Sequence, residues 1–277
     1  MRNIRIEIEY DGSGYAGWQV QNSPQCTVHS PQKRTIQGTI EKTLQKILKE
    51  KVKVIASGRT DAGVSALAQV ANFHTHCALP VEKIKNALNA LLPKDIAVSR
   101  VQDVPLDFHA IRDVRSKVYR YRILNRAHRP ALSLRGVYFC RFPLDSGLMR
   151  REARVLIGRH DFKAFCASGS SARSTVRTIK KITVGRYPYE YPRSNTKEDN
   201  SLIIIDIEAD GFLYNMARSI AGTLVDIGRG RFKKSSMKSL LSARDRRLSG
   251  PCAPAQGLCL LKVKYPCARK PRTSVHR

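Results

Sequence analysis

The octapeptide Ser57-Gly58-Arg59-Thr60-Asp61-Ala62-Gly63-Val64 sets one carboxylate near a guanidinium, among neighbours too small to crowd either group. A carboxylate can attack carbon, add to an electrophilic ring or take a proton. An arginine keeps its charge at any working pH and grips phosphate. The stretch lies between two segments that read as strands, and loops carried on rigid sheets are where chemistry concentrates. The same residues would also make an ordinary turn, with Asp61 accepting hydrogen bonds from nearby backbone amides. The octapeptide by itself fits both.

A second glycine pattern, Gly12-Ser13-Gly14-Tyr15-Ala16-Gly17, matches G-x-G-x-x-G after a strand. A dinucleotide site needs that loop to open a helix whose N-terminus receives the pyrophosphate. Here Trp18-Gln19-Val20-Gln21-Asn22-Ser23-Pro24 follows, and the helical pattern waits until about Thr35, which argues against a nicotinamide or flavin site. The glycines read as a tight turn displaying Asp11, Tyr15, Trp18, Gln19 and Gln21. These rings and amides suit nucleic acid or, for Trp18, the core. Seven cysteines (26, 77, 140, 166, 252, 259 and 267) include no C-x-x-C pair, so neither a zinc site nor a disulfide framework is expected.

Periodicity supplies the elements that must hold these loops. Ile4 to Tyr10 alternates as a strand, and Ile36, Ile40, Leu44, Ile47 and Leu48 mark one helical face. Val52–Ala56 and Ala68–His76 read as strands. Pro80 opens a helix with Ile84, Leu88, Leu91 and Leu92 on its apolar side, and Ile96, Val98 and Val101 make a further strand. The order β-α-β-β-α-β is that of a split βαβ unit. It returns as strand Lys117–Leu124, a helix near Asp145–Ile157, strands Thr178–Gly185 and Leu202–Ala209, helix Phe212–Ile227 and strand Gly257–Tyr265. A short helix near Ser236–Ala243 and a polar loop Tyr187–Asn200 fall at connections. Phe212, Met216 and Ile220, four apart, read as core. The expected fold class is α+β, two split βαβ (ferredoxin-like) units with antiparallel sheets.

Lysine and arginine number 50 against 22 acids, a net charge of +28 that calls for an anionic partner. The excess is uneven, with 14 basic and 10 acidic residues in 1–110 but 36 and 12 in 111–277. Arg112, Arg115, Lys117, Arg120, Arg122, Arg126 and Arg129 partly alternate at the start of the second half. They read as a phosphate-tracking row, which Arg229, Arg231, Lys233, Lys234, Arg244, Arg246 and Arg247 extend. No window approaches the roughly 20 apolar residues of a membrane span. The first residues read as a strand and not a leader, so a protein of the reducing cytoplasm, with no membrane partner, is expected.

Several of these segments resemble, in order, the TruA family of tRNA pseudouridine synthases. Gly58 to Val64 is similar to its active-site loop, and Tyr10-Asp11-Gly12-Ser13 with Gly17-Trp18-Gln19 to its first strand and loop. Asp107-Phe108-His109-Ala110 resembles its interdomain segment and Tyr119-Arg120-Tyr121 its tyrosine motif. Phe212 to Arg218 with Gly222 resembles its long helix, and Ala253-Pro254-Ala255-Gln256-Gly257-Leu258 its final motif. The chain departs from the family at Ser65, where histidine is common, and in a longer segment Asn22–Arg34, expected to lengthen an RNA-facing loop.

The resemblance implies the pseudouridine synthase fold, with a domain over 1–106 carrying the Asp61 loop and a basic domain over 107–265; residues 266–277, basic, proline-containing and without apolar periodicity, read as a disordered tail. It implies that uridine is isomerised in place: the C1′–N1 bond breaks, the uracil turns, and C1′ rejoins at C5. No cofactor or metal is called for. Asp61 is the expected catalytic residue. Arg59, Tyr119, Arg218 and Leu258 are expected to bind substrate, with Tyr119 stacking on an everted base and Arg218 pairing with Asp61. The expected partners are the anticodon stem-loop of tRNA and a second copy of the chain. A non-catalytic RNA-binding protein and a basic ribosome-associated protein are the alternatives that composition alone would allow.

Overall fold

The computed structural model describes residues 1–20, 34–131, 135–170, 172–189, 201–232 and 236–266. Strand β1 (Arg2–Tyr10) buries Ile4, Ile6, Ile8 and Tyr10 on one face, the period of two that its sequence spells. Helix α1 (Ile36–Leu48) starts where Thr35 accepts a hydrogen bond from the Gly38 N–H at 3.2 Å, and its buried face includes Ile36, Ile40, Leu44 and Leu48. Such a cap is worth about 1 kcal/mol.

Strand β2 (Ile55–Ala56) is shorter than the expected Val52–Ala56. The backbone of Val54 is taken by side chains of α1, its N–H donating to Glu41 at 2.9 Å and its carbonyl accepting from Gln37 at 3.3 Å, so it has none left for a ladder. Strand β3 (Ser65–Thr75), helix α2 (Val81–Leu91) and strand β4 (Ile96–Val104) follow. Leu91, expected in the core, is 55% exposed. The helix ends there, and the extended backbone of Leu92 turns that side chain inward instead.

The second half comprises β5 (Ser116–Asn125), β6 (Tyr138–Cys140), α3 (Ser146–Arg154), β7 (Gly158–Asp161), β8 (Val176–Pro188), β9 (Ser201–Ala209), α4 (Met216–Gly228), α5 (Met237–Ala243) and β10 (Leu258–Lys264). β6 and β7 are too short and, for Gly158-Arg159-His160-Asp161, too polar to register as hydrophobic alternation. β8 runs on to Pro188, so the expected loop from Tyr187 begins later, and its residues 190–200 lie outside the described set. α4 starts four residues after the expected Phe212, because Asn215 has φ 59°, a left-handed conformation that cannot continue a right-handed helix.

The strands form one sheet in the order β4-β1-β3-β10-β5-β9-β8-β7, with β2 beside β3 and β6 beside β5. Each half reads as a split βαβ unit, β4-β1-β3-β2 and β10-β5-β9-β8, with antiparallel neighbours. A short parallel seam, Ser65 opposite Cys259 and Ala66 opposite Leu260, fuses the two. A single buried cluster runs from Ile4 to Val263 across it.

Cys77, Cys140, Cys166, Cys252 and Cys259 are free thiols. Among the described residues no helix is long and apolar enough to cross a membrane. Of Asn22–Arg34 only Arg34 is described, its guanidinium 5.2 Å from the Tyr15 ring centre.

Candidate active site

Because β3 and β10 run parallel, the connections that enter them lie side by side: residues 57–64 lead into β3 and 253–257 into β10. Gly63 (φ +79°) makes the first of these turn, closed by the Val64 N–H donating to the Asp61 carbonyl at 3.1 Å. The buried stem is fixed by Ser57 donating to Gln69 at 2.7 Å and Gln69 donating to the Gly58 carbonyl at 2.8 Å.

The Gly12–Gly17 turn braces the same loop. The Trp18 N–H donates to the Thr60 carbonyl at 3.0 Å. Gly17 has φ +94°, and a Cβ there would stand 2.7 Å from that carbonyl oxygen. Trp18 and Tyr15 are core residues, not RNA-facing rings. Trp18 packs on Tyr10, whose hydroxyl shares a 2.8 Å hydrogen bond with Thr60, and the Tyr15 hydroxyl donates to Asp95 at 2.6 Å. Asp11 accepts from the Ser13 N–H, and only Gln19 of the displayed set reaches the cleft; Gln21 lies outside the described residues. Ser65 accepts from the Gly12 N–H at 3.1 Å, tying the glycine turn to β3.

From the other side, the first turn of α4 delivers Arg218. Its Nε donates to the Ala253 carbonyl and its Nη1 to Asn215 Oδ1, both at 2.8 Å, and the same Nη1 lies 3.5 Å from Asp61 Oδ2. The left-handed turn at Asn215 thus sits immediately ahead of α4 and aims an oxygen at the guanidinium. Gly222 allows the 250–253 segment to press onto α4, since a Cβ there would fall 1.8 Å from the Pro251 carbonyl oxygen.

Asp61 is 27% exposed and Arg218 18%. Burial pushes the Asp61 carboxyl above its ordinary range, and the Arg218 charge and hydrogen bond pull back part of that rise. Among the described residues no backbone amide donates to this carboxylate, so the turn reading of Asp61 does not describe it.

The ion pair lies in a cleft of about 940 Å³, and all five expected site residues, Asp61, Arg59, Tyr119, Arg218 and Leu258, line it. Arg59 is exposed there. Tyr119 sits edge-on to Phe212, ring centres 4.8 Å apart at 77°. Burial, reinforced by neighbouring Tyr10 and Asp61, holds its phenol protonated. Leu258 stands opposite Tyr121, whose hydroxyl donates to Pro254 at 2.8 Å. Met216 and Ile220 are fully buried as expected, whereas Phe212 is cleft wall, released from the helix by Asn215.

Two members of the first basic row are engaged within the chain. Arg120 pairs with Asp206 through two hydrogen bonds of 2.8 Å, and Arg126 is buried against the His128 carbonyl. In the second set Arg229 and Arg231 share Asp226, Arg244 pairs with Asp161 and Arg247 with Asp245. Lys233 and Lys234 lie outside the described residues. Lys117 alone of these two sets lines the cleft, a distinction that its alternation with Tyr119 along β5 signals in retrospect.

The pattern of a family described as tRNA pseudouridine synthase matches residues 7–112 and 153–266, which takes in both sides of the ion pair. The chain belongs to the tRNA pseudouridine synthase family. It is 43% identical to the tRNA pseudouridine synthase A of Caldicellulosiruptor bescii over 96% of this chain and 100% of that one. It is 41% identical to the tRNA pseudouridine synthase A 2 of Clostridium tetani over 95% and 99%. A much weaker likeness, TM-score 0.31 at 13% identity over 93% of this chain and 58% of that chain, is to a crystal structure of a Cbf5-Nop10-Gar1 complex. The synthase is an isomerase of tRNA uridine, which sets aside the two non-catalytic readings.

Proposed function

We propose that Asp61 is the catalytic carboxylate of this synthase, that Arg218 holds it charged, and that Arg59, Tyr119 and Leu258 receive the substrate nucleotide. The observation that carries this is the Asp61–Arg218 pair in the cleft at the seam, 3.5 Å between Nη1 and Oδ2. Residues 1–106 supply the carboxylate and Arg59, and residues 107–265 supply the other three. A base within a stem cannot reach such a cleft, so the target uridine is everted into it. Tyr119 and Leu258 supply apolar surface for the uracil, and Arg59 at the rim holds the backbone or helps to turn the nucleotide out. Isomerisation then breaks C1′–N1 and makes C1′–C5, with a proton leaving C5 and one reaching N1. One ionised carboxylate serves attack at C1′, addition at C6 or removal of a sugar proton.

The target is a uridine of the anticodon stem-loop, and the working unit is a homodimer that takes tRNA across both copies. Asp61→Ala tests the centre of this reading. The variant should bind tRNA and form no pseudouridine, and product at the parental rate would remove Asp61 from the chemistry. A tRNA modification map made with and without the gene identifies the uridines.

A further inference from the structure

The cleft holds three cations, Arg59, Lys117 and Arg218, against the single carboxylate of Asp61. Arg218 is committed to Asp61, Ala253 and Asn215, and Arg59 stands exposed at the rim. Lys117 is different. It is half-buried, and among the described residues no hydrogen bond or ion pair reaches its ammonium group. A charge withdrawn from water without a partner is costly, so its retention in a substrate cleft points to an anion that arrives with the substrate.

Lys117 and Tyr119 are two apart on β5 and face the cleft together, which separates them by about 7 Å along the strand. That is comparable to the reach from a base, through its ribose, to a backbone phosphate. Gly58 leaves room for the lysine: a Cβ at that position would stand 2.5 Å from Lys117 Nζ and has no other close neighbour. Burial pulls the ammonium down to about 8, leaving it mostly protonated at pH 7.

We propose that Lys117 is a phosphate-binding residue of the cleft, gripping a backbone phosphate that flanks the everted uridine while Tyr119 packs on its base. This rests on the reading of the cleft as the uridine site. It makes Lys117 a determinant of substrate hold, separate from the Asp61–Arg218 pair.

The test is single-turnover kinetics on tRNA, with enzyme varied to separate half-saturation from maximal rate, for wild type, Lys117→Met and Lys117→Arg. Removing a charge-assisted hydrogen bond should raise half-saturation roughly 10- to 100-fold in Lys117→Met. The salt slope of binding should fall by about 1, the maximal rate should change little, and Lys117→Arg should retain most of the affinity. In tRNA carrying one uncharged methylphosphonate, 5′ or 3′ of the target, one position should weaken the wild type while leaving Lys117→Met indifferent.

Gly58→Ala, which displaces only the end of this side chain, should mimic Lys117→Met and add little to it. Wild-type affinity in Lys117→Met, equal sensitivity to methylphosphonate in both proteins, or a loss confined to maximal rate would overturn the assignment. Asp61→Ala run alongside keeps the two readings apart, because its loss of product depends on Asp61 whatever Lys117 does.

Discussion

A carboxylate drawn out of water relieves its own cost by taking a proton, and the catalytic role proposed for Asp61 requires that it does not. Burial raises its pKa and Arg218 restrains the rise. Removing that restraint in Arg218→Met should displace the acid limb of the rate profile to higher pH. The rate at pH 7 should fall roughly 10- to 100-fold, the value of a charge-assisted hydrogen bond. A pH–rate series on tRNA checks both, and an unmoved limb would mean that Arg218 does not govern the ionisation. Stability has the opposite bias. A carboxyl whose pKa is higher folded than unfolded costs stability once pH rises through that interval. Asp61→Asn should therefore be more stable than the wild type at neutral pH, an advantage that shrinks as pH falls from the raised value toward the ordinary aspartate value and is gone below it, measured by thermal melts across pH. The net rise of the Asp61 pKa already counts the attraction to Arg218 that the variant gives up, and the guanidinium keeps its hydrogen bonds to Ala253 and Asn215.

Elements set this geometry through close approaches of backbone. Gly17 touches the Thr60 carbonyl and Gly222 the Pro251 carbonyl, one bracing each side of the ion pair. In Gly222→Ala the new methyl meets a backbone oxygen that no side-chain rotation can move. The cost should be about 1–3 kcal/mol or more, the range for overpacked sites. Activity should fall further than stability explains, because the Ala253 carbonyl that holds Arg218 moves with Pro251. Melting temperature and kcat measured on the same preparation separate the two effects, and normal activity in a destabilised variant would contradict the coupling. These contacts account for what sequence periodicity missed. Asn215 interrupts a pattern that otherwise reads as helix from Phe212, and the side chains of Glu41 and Gln37 remove Val54 from a strand that its neighbours favour.

At the scale of the whole molecule, the parallel seam of β3 with β10 decides that the two halves share the Asp61 cleft, since it brings the two loops side by side from positions nearly 200 residues apart. The surplus of +28 acts over the same scale. Many of its arginines are engaged with acids or carbonyls of the chain, and the net charge acts as attraction at a distance whether or not they are. Affinity for tRNA should still fall steeply with salt, by about a thousandfold between 50 and 200 mM for about six phosphate contacts. A titration series that shows a flat dependence would argue that the basic half does not face the nucleic acid.

The alternating and helical periods of the sequence, read with its glycines and prolines, were enough to specify two split βαβ units, because local patterns of burial and turn chemistry are written in neighbouring residues; they put Asp61 in a loop between strands but left a turn and a chemical role equally open. The pairing of Asp61 with Arg218 came from resemblance and not from pattern. That Trp18 is core, that Phe212 is cleft wall, that Arg120 pairs with Asp206 and that Lys117 has no partner among the described residues were decided only when distant strands met. Each depends on which residues lie across a contact, and no spacing along the chain encodes that.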